Sequence, residues 1–272
     1  MAAADLISGA LAGFSQIVIG QPFDTVKVRL QTNSNYNGTL CCIRSTAFEG
    51  LRTFYKGSLP VICAIAPRQA VGFFGFAQGK QIFGNDTLPK LAAAGAWSAL
   101  YTTPINAPTE RVKNLQQANN FYGTSSNEVL RNLYREGGFR NVFKGTELTF
   151  LRYAFGNSIY FGSYEFLKLN FLRKQNKTRI SKQETVISGI FAGVTTWAIV
   201  FPVDVVKSKL QAGVDNISRR ELWSELIAEI KENGPRQVLY RGIGISMVRT
   251  AFTTPLSFLI YEACSEYIKN KL

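Results

Sequence analysis

Pro22-Phe23-Asp24-Thr25-Val26-Lys27 returns twice along this chain. It recurs as Pro108-Thr109-Glu110-Arg111-Val112-Lys113 and as Pro202-Val203-Asp204-Val205-Val206-Lys207. Each copy follows a run of apolar and small residues, and a glutamine stands nine positions beyond each proline: Gln31, Gln117 and Gln211. An acid, a base and an amide at i, i+3 and i+7 share one face of a helix. A second element repeats in step, an aromatic, a base and a glycine: Tyr55-Lys56-Gly57, Phe143-Lys144-Gly145 and Tyr240-Arg241-Gly242. Such repetition decides the architecture before any local reading does.

Working outward, apolar blocks of membrane length flank each motif. The first runs from about Leu6 to Ile19 and continues past Pro22, so we expect one kinked helix over about residues 4–32. Proline inside a membrane helix is tolerated as a kink, and the same kinks are expected at Pro108 and Pro202. Gly9 and Gly13 form a small-xxx-small pair that lets another helix approach, as do Gly189 and Gly193. A polar loop (32–38) and a short amphipathic helix (about 40–49) lead to Tyr55-Lys56-Gly57 and a second span, about Leu59 to Phe83. The pattern then restarts. It gives spans at about 88–117, 147–172, 184–211 and a sixth ending near Ile268, with short helices near 127–136 and 220–232 and a basic linker from Arg173 to Lys182. The expected fold is an all-α membrane protein of six transmembrane helices in three pseudo-symmetric repeats. The repeats are residues 1–86, 87–175 and 176–272 of one membrane domain. The alternative is a soluble helical repeat protein. Those repeat at roughly 30 to 50 residues, whereas these prolines step from 22 to 108 to 202.

Composition narrows function. The net charge of +13 suits nucleic acid, anionic lipid or an anionic substrate. Nucleic acid is disfavoured, because the aromatics sit in apolar runs rather than on a basic face. Histidine is absent, which removes the commonest general base and metal ligand. Cys41, Cys42, Cys63 and Cys264 have no metal-site spacing. No enzyme activity, cofactor or metal is expected. Met1 to Asp5 lacks the basic n-region of a signal peptide, so any organelle address is expected to be internal.

P-x-[DE]-x-x-[KR] in three registered copies, with downstream [DE]-G and aromatic-[KR]-G elements, resembles the mitochondrial carrier family across essentially the whole chain. The stretches 24–31, Phe73-Phe74-Gly75-Phe76, 107–113 and Trp197 with Lys207-Ser208 are similar to its acylcarnitine and basic amino-acid branch. The resemblance implies a six-helix bundle in the inner mitochondrial membrane, with both termini toward the intermembrane space. It implies alternating access around one central site, matrix-side surface helices, and cardiolipin at their N-termini and at the aromatic-basic-glycine segments.

Three acids and three bases near one membrane face are costly unless paired. We expect a matrix-side ring: Asp24 with Lys113, Glu110 with Lys207, and Asp204 with Lys27, braced by Gln31, Gln117 and Gln211. The local alternative pairs each acid with the base three residues on, Asp24 with Lys27. At the other end the family pattern [FY]-[DE]-x-x-[KR] is intact only in Tyr164-Glu165-Phe166-Leu167-Lys168. Phe76-Ala77-Gln78-Gly79-Lys80 lacks the acid, and Tyr261-Glu262-Ala263-Cys264-Ser265 lacks the base. We therefore expect two cytoplasmic pairs, Lys80–Glu165 and Lys168–Glu262, and a bias against closing that side.

The family's substrate contact points fall on the seventh residue after each repeated glycine: Ala64, Arg152 and Arg249. Arginine deep in an apolar span is a functional candidate. Arg68, one turn beyond Ala64, is a site residue or a rim residue. Tyr153 stands where that branch typically carries an acid, and its face suits a quaternary ammonium. The expected function is exchange of a small anionic or zwitterionic carboxylate, acylcarnitine-like or amino-acid-like. A second reading is a transport-inactive structural subunit of a larger inner-membrane (respiratory) complex.

Overall fold

The computed structural model describes residues 2–33, 36–84, 87–118, 123, 125–175, 180–213 and 219–271. Positions 34–35 of the expected polar loop and 176–179 of the expected basic linker lie outside them. All described regular structure is helical. The order is α1 (Ala2–Thr32), α2 (Thr39–Phe48), a 3-10 turn (Leu51–Tyr55), α3 (Ser58–Phe83), α4 (Leu88–Gln117), α5 (Ser126–Val142), α6 (Thr146–Gln175), α7 (Lys182–Ala212), α8 (Arg219–Asn233), α9 (Pro235–Leu239) and α10 (Ile243–Lys271). Each of α1, α4 and α7 runs unbroken through its repeated proline. A proline nitrogen has no hydrogen to donate, so the helix loses one ladder bond there without ending.

The six long helices have 26 to 31 residues, roughly 40–45 Å at 1.5 Å per residue. They close a ring, with α1 against α3, α3 against α4, α4 against α6, α6 against α7, α7 against α10, and α10 against α1. The segments Leu51–Phe83, Lys182–Ala212 and Pro235–Ile268 are long and apolar enough to cross a membrane by composition alone. α1 and α4 divide by face: Phe14, Val18 and Leu100 look outward, while Gln21, Thr25, Ser98 and Asn106 are buried. An apolar outside and a polar inside invert the pattern of a soluble bundle and fit lipid.

The closest helix approach is not where the first small-residue pair suggested. A Cβ on Gly9 would meet nothing within 4 Å, and one on Gly13 only Ile65 at 3.5 Å. The tight seam lies between α3 and α4, where a Cβ on Gly79 would stand 2.7 Å from the Ala94 Cα and one on Gly75 3.1 Å from the Ser98 Cα. Gly193, of the second pair, does lie close, 2.6 Å from a Thr250 methyl.

The repeated glycines Gly57, Gly145 and Gly242 have φ of 75°, 83° and 85°, a left-handed backbone that other residues adopt at a cost. Each turns the chain into α3, α6 or α10 beside the end of α4, α7 or α1 respectively: Gly57 at Lys113, Gly145 at Gln211, Gly242 at Leu30.

The surface helices are pinned to this end. α5 packs Val129, Leu133 and Val142 on Val112 and Leu115, and it extends past the expected Glu136 through a break at Gly138. α2 puts Cys42 beside Val26, Leu30 and Ile245, and Cys41 is exposed, so the adjacent cysteines face different surroundings. Fully buried Arg29 ties three elements together. It donates to both carboxylate oxygens of Glu49 at 2.6 and 2.8 Å, to Thr46 Oγ1 and to the Gln117 carbonyl. Lys209 takes the corresponding place in the third repeat and pairs with Glu229.

The Gly79→Ala variant should overpack the α3–α4 seam by about 1–3 kcal/mol and lower the melting point in detergent. Gly9→Ala should melt like the parent, and equal melting of both variants would refute the seam. Hydrogen bonds from Arg29 hold the Glu49 carboxyl below its usual value. That contribution is present above the unfolded carboxylate pKa of about 4.3 and is lost as pH falls through the lower folded value. Melting curves across pH 3 to 6, an interval set by that reference value of about 4.3, should show an acid-side loss that Glu49→Gln lacks.

Candidate functional site

Where α1, α4 and α7 converge, three lysines cross to three acids on neighbouring helices. Lys113 Nζ lies 2.5 Å from Asp24 Oδ2, Lys207 Nζ 2.7 Å from Glu110 Oε2, and Lys27 pairs with Asp204. The interhelical ring forms, not the local i,i+3 pairs. Asp24, Lys27, Asp204 and Lys207 are all buried. Isolated charges at that depth would be strongly destabilising, so pairing and the fold require each other.

Two arginines from outside the ring join it. Arg152 Nε of α6 donates to Asp204 Oδ1 at 3.0 Å, and Arg249 Nε of α10 lies 3.1 Å from Asp24 Oδ1. Each of these aspartates therefore has a lysine and an arginine. Threefold symmetry asks α3 to supply the same second partner to Glu110, but the equivalent position is Ala64. Tyr153 fills the role, its hydroxyl donating to Glu110 Oε1 at 2.9 Å. Gly20 of α1 leaves the room Arg249 occupies, since a Cβ there would stand 2.8 Å from Arg249 Nε.

Above the ring lie two adjoining chambers that share Arg152, Tyr153, Trp197 and Arg249. The inner one, about 200 Å³, has the ring as its floor and Arg68 and Gln69 on its wall. The outer one, about 1040 Å³, is lined by Phe76, Tyr160, Phe161, Tyr164, Phe258 and Tyr261 among others. Arg68 thus faces the cavity rather than the rim. Ala64 is buried and lines neither chamber, because a methyl group at that level is too short to reach the space its arginine counterparts enter. Arg152 lies over the rings of Tyr153 and Trp197, at 4.7 and 5.3 Å to the centroids. Lys27 lies over Trp197 at 4.2 Å.

The expected glutamine braces are corrected. Gln117 donates to Thr25 Oγ1, Gln211 donates to Thr149 Oγ1 and accepts from Asn114, and none of these bonds touches a ring pair. Gln31 has no side-chain partner among the described residues. The seven-residue offset sets these amides beyond the charges, where Gln117 and Gln211 stitch helix ends together. Buried Arg111, unremarked in the motif, belongs to the same layer and donates to the carbonyls of Leu210 and Gly213 at the end of α7.

At the opposite end the expected pairs Lys80–Glu165 and Lys168–Glu262 are not made. Lys168 binds Glu165 of its own helix at 2.9 Å, Glu262 binds Lys182 at 2.8 Å, and Lys80 sits over the Phe76 ring at 4.8 Å. The outer chamber lies between these residues, with Lys80, Glu165 and Tyr261 on its walls. The charges therefore take the nearest partner on their own side of it.

With this geometry in view, comparison with known proteins decides the family. The mitochondrial carrier protein profile matches three times, at residues 1–87, 84–175 and 179–272. The chain belongs to the mitochondrial carrier family. It is 34% identical to the human mitochondrial carnitine/acylcarnitine carrier protein, over 97% of this chain and 94% of the relative. It is 33% identical to mitochondrial magnesium exporter 1 of Drosophila melanogaster (97% and 94%) and 31% identical to mouse mitochondrial ornithine transporter 1 (100% and 96%). The chain is a metabolite carrier of the same three-repeat design, and these relatives are transporters rather than enzymes.

Glu110 and Lys207 suit a charge-swap test, because the other neighbour of Glu110 is a hydroxyl. Lys207→Ala should destabilise the detergent-solubilised carrier by roughly 3–5 kcal/mol, the cost of stranding a buried charge. The double variant E110K/K207E should recover more than half of the lost melting temperature. No recovery would contradict a pairwise ring.

Proposed function

We propose that the protein exchanges a small anionic or zwitterionic carboxylate across the inner mitochondrial membrane by alternating access. The single observation that carries this reading is the state of Arg152 and Arg249. Arg152 donates to a ring acid through Nε and Arg249 forms an ion pair with another, and no hydrogen bond from their terminal nitrogens occurs among the described residues. Guanidinium forks of that kind take a carboxylate in bidentate fashion. In this proposal the ring is the matrix gate and both termini face the intermembrane space. The conformation at hand is then open toward the cytoplasmic side.

A ligand shifts such an equilibrium only by its differential affinity for the two states. A carboxylate seated on Arg152 and Arg249 would compete with Asp204 and Asp24 for the same guanidiniums. It would withdraw the second partner from two of the three ring acids while it binds. On the other side, Tyr164 and Tyr261 with Glu165, Lys168, Glu262 and Lys80 would form the cytoplasmic gate by exchanging their present partners. Repeats one and three contribute Ala77 and Ser265 at the third junction, so that gate would hold one pair fewer than the ring. We place cardiolipin at the N-termini of α2, α5 and α8 and at the aromatic-basic-glycine segments. Helix N–H groups and the bases Lys56, Lys144 and Arg241 of those segments would attract its phosphates.

Reconstituted into liposomes, the carrier should exchange a labelled carboxylate, and Arg152→Ala should lower the rate about 100-fold or more, since a charged ligand would lose its bidentate partner. The variant's melting curve must remain cooperative for the result to count. Undiminished exchange would remove Arg152 from the site. Copurification in a stable complex, with no exchange and no ligand-induced stabilisation, would instead establish the structural-subunit reading.

A further inference from the structure

Resting on the carboxylate reading above, we infer that the ligand is a multivalent anion, carrying two or more negative charges, and neither a zwitterion nor a cation. The inner chamber is lined by six bases, Lys27, Lys113, Lys207, Arg68, Arg152 and Arg249. Only three acids face them, Asp24, Glu110 and Asp204, which leaves a net +3. The outer chamber does not correct the balance, because Lys80 and Glu165 on its wall offset one another.

Geometry says which charges are in surplus. The three lysines bind the three acids directly, so the arginines are the excess. Arg152 and Arg249 reach an acid through one nitrogen each. Arg68 makes no ion pair among the described residues, and it shares the chamber with the other two. Uncompensated positive charge between membrane helices is expensive. A ligand with one carboxylate would leave most of that charge unanswered, whereas one with two or three anionic groups would meet separate guanidiniums.

The same inventory argues against an ammonium. Such a group needs a carboxylate to spare or an open aromatic face. The three carboxylates each have two partners. The two aromatic rings of the inner chamber are taken, Trp197 by Lys27 and Arg152, and Tyr153 by Arg152. Tyr153 is thereby a specificity residue. A carboxylate at its position would lower the net charge by one and give an amine a counter-ion, and the phenol does neither.

The test uses the purified full-length chain, thermal shift in detergent and homo-exchange in liposomes. The panel is malate, citrate, glycerol 3-phosphate, acetylcarnitine and ornithine. Malate and citrate should stabilise and exchange, half-saturating at least about 10-fold below acetylcarnitine, a difference of about 1.4 kcal/mol. Arg68→Gln, which breaks no ion pair, should weaken citrate more than malate, and Arg68→Lys should restore the preference. Exchange of acetylcarnitine on a par with malate would overturn the multivalent inference and leave the carboxylate reading standing. Exchange of ornithine on a par with malate would overturn the inference as well. Activity with glycerol 3-phosphate alone would support the charge inference and overturn the carboxylate. No response to any of the five would overturn both.

Discussion

A charge buried between membrane helices must find a counter-charge, and the rest of this structure depends on how that requirement is met. Asp24, Glu110 and Asp204 sit on three different helices and find their lysines on the neighbouring one. No helix can leave the group without breaking two of the three pairs, that of its own acid and that of its own lysine. The ring therefore fixes α1, α4 and α7 relative to one another more firmly than apolar packing in lipid could. It is also breakable, because the attraction within a buried pair is largely offset by the lost hydration of its members. A junction of that kind can hold a state and still be exchanged for another.

The functional character of the cavity arises where threefold symmetry fails. Two repeats hang an arginine over the ring and one supplies Ala64, so the acid opposite the gap, Glu110, turns to Tyr153. That substitution takes the tyrosine hydroxyl into the ring and its face under Arg152. It also leaves Arg68 on the wall with no acid of its own. An exactly symmetric bundle would present three equal arginines. This one presents two that are tethered and one that is not, on different sides of a small chamber.

The two ends of the bundle differ for a related reason. At the ring, small residues and left-handed glycines bring the starts of α3, α6 and α10 against the ends of α4, α7 and α1. Arg29, Lys209 and the surface helices then pin that end from outside. At the other end, aromatic side chains line the open outer chamber. Charges there settle for Lys168–Glu165 within one helix and Lys182–Glu262 between neighbours. Closure would require trading these contacts for longer-range ones, with no pair available between Ala77 and Ser265.

Much of this was legible in the chain itself. Repetition gave the three units, and apolar block length gave the helices, with most ends correct to within a few residues. The threefold acid-to-base repetition, together with the family resemblance it carries, gave the partners in the ring, and the structure forms that ring rather than the local i,i+3 pairs. What the sequence left undetermined depends on distances between helices that no local pattern encodes. Gly9 and Gly79 look alike in sequence, yet only Gly79 lies against another backbone. Gln31, Gln117 and Gln211 share helical faces with the charges, yet Gln117 and Gln211 bond past them and Gln31 has no side-chain partner among the described residues. Arg152 and Arg249 could be named as candidates from their depth in apolar spans and from an offset that the family resemblance marks. That each is bound to an aspartate by one nitrogen, with the remaining nitrogens unclaimed beside Arg68, was decided only when the six helices closed around a common interior.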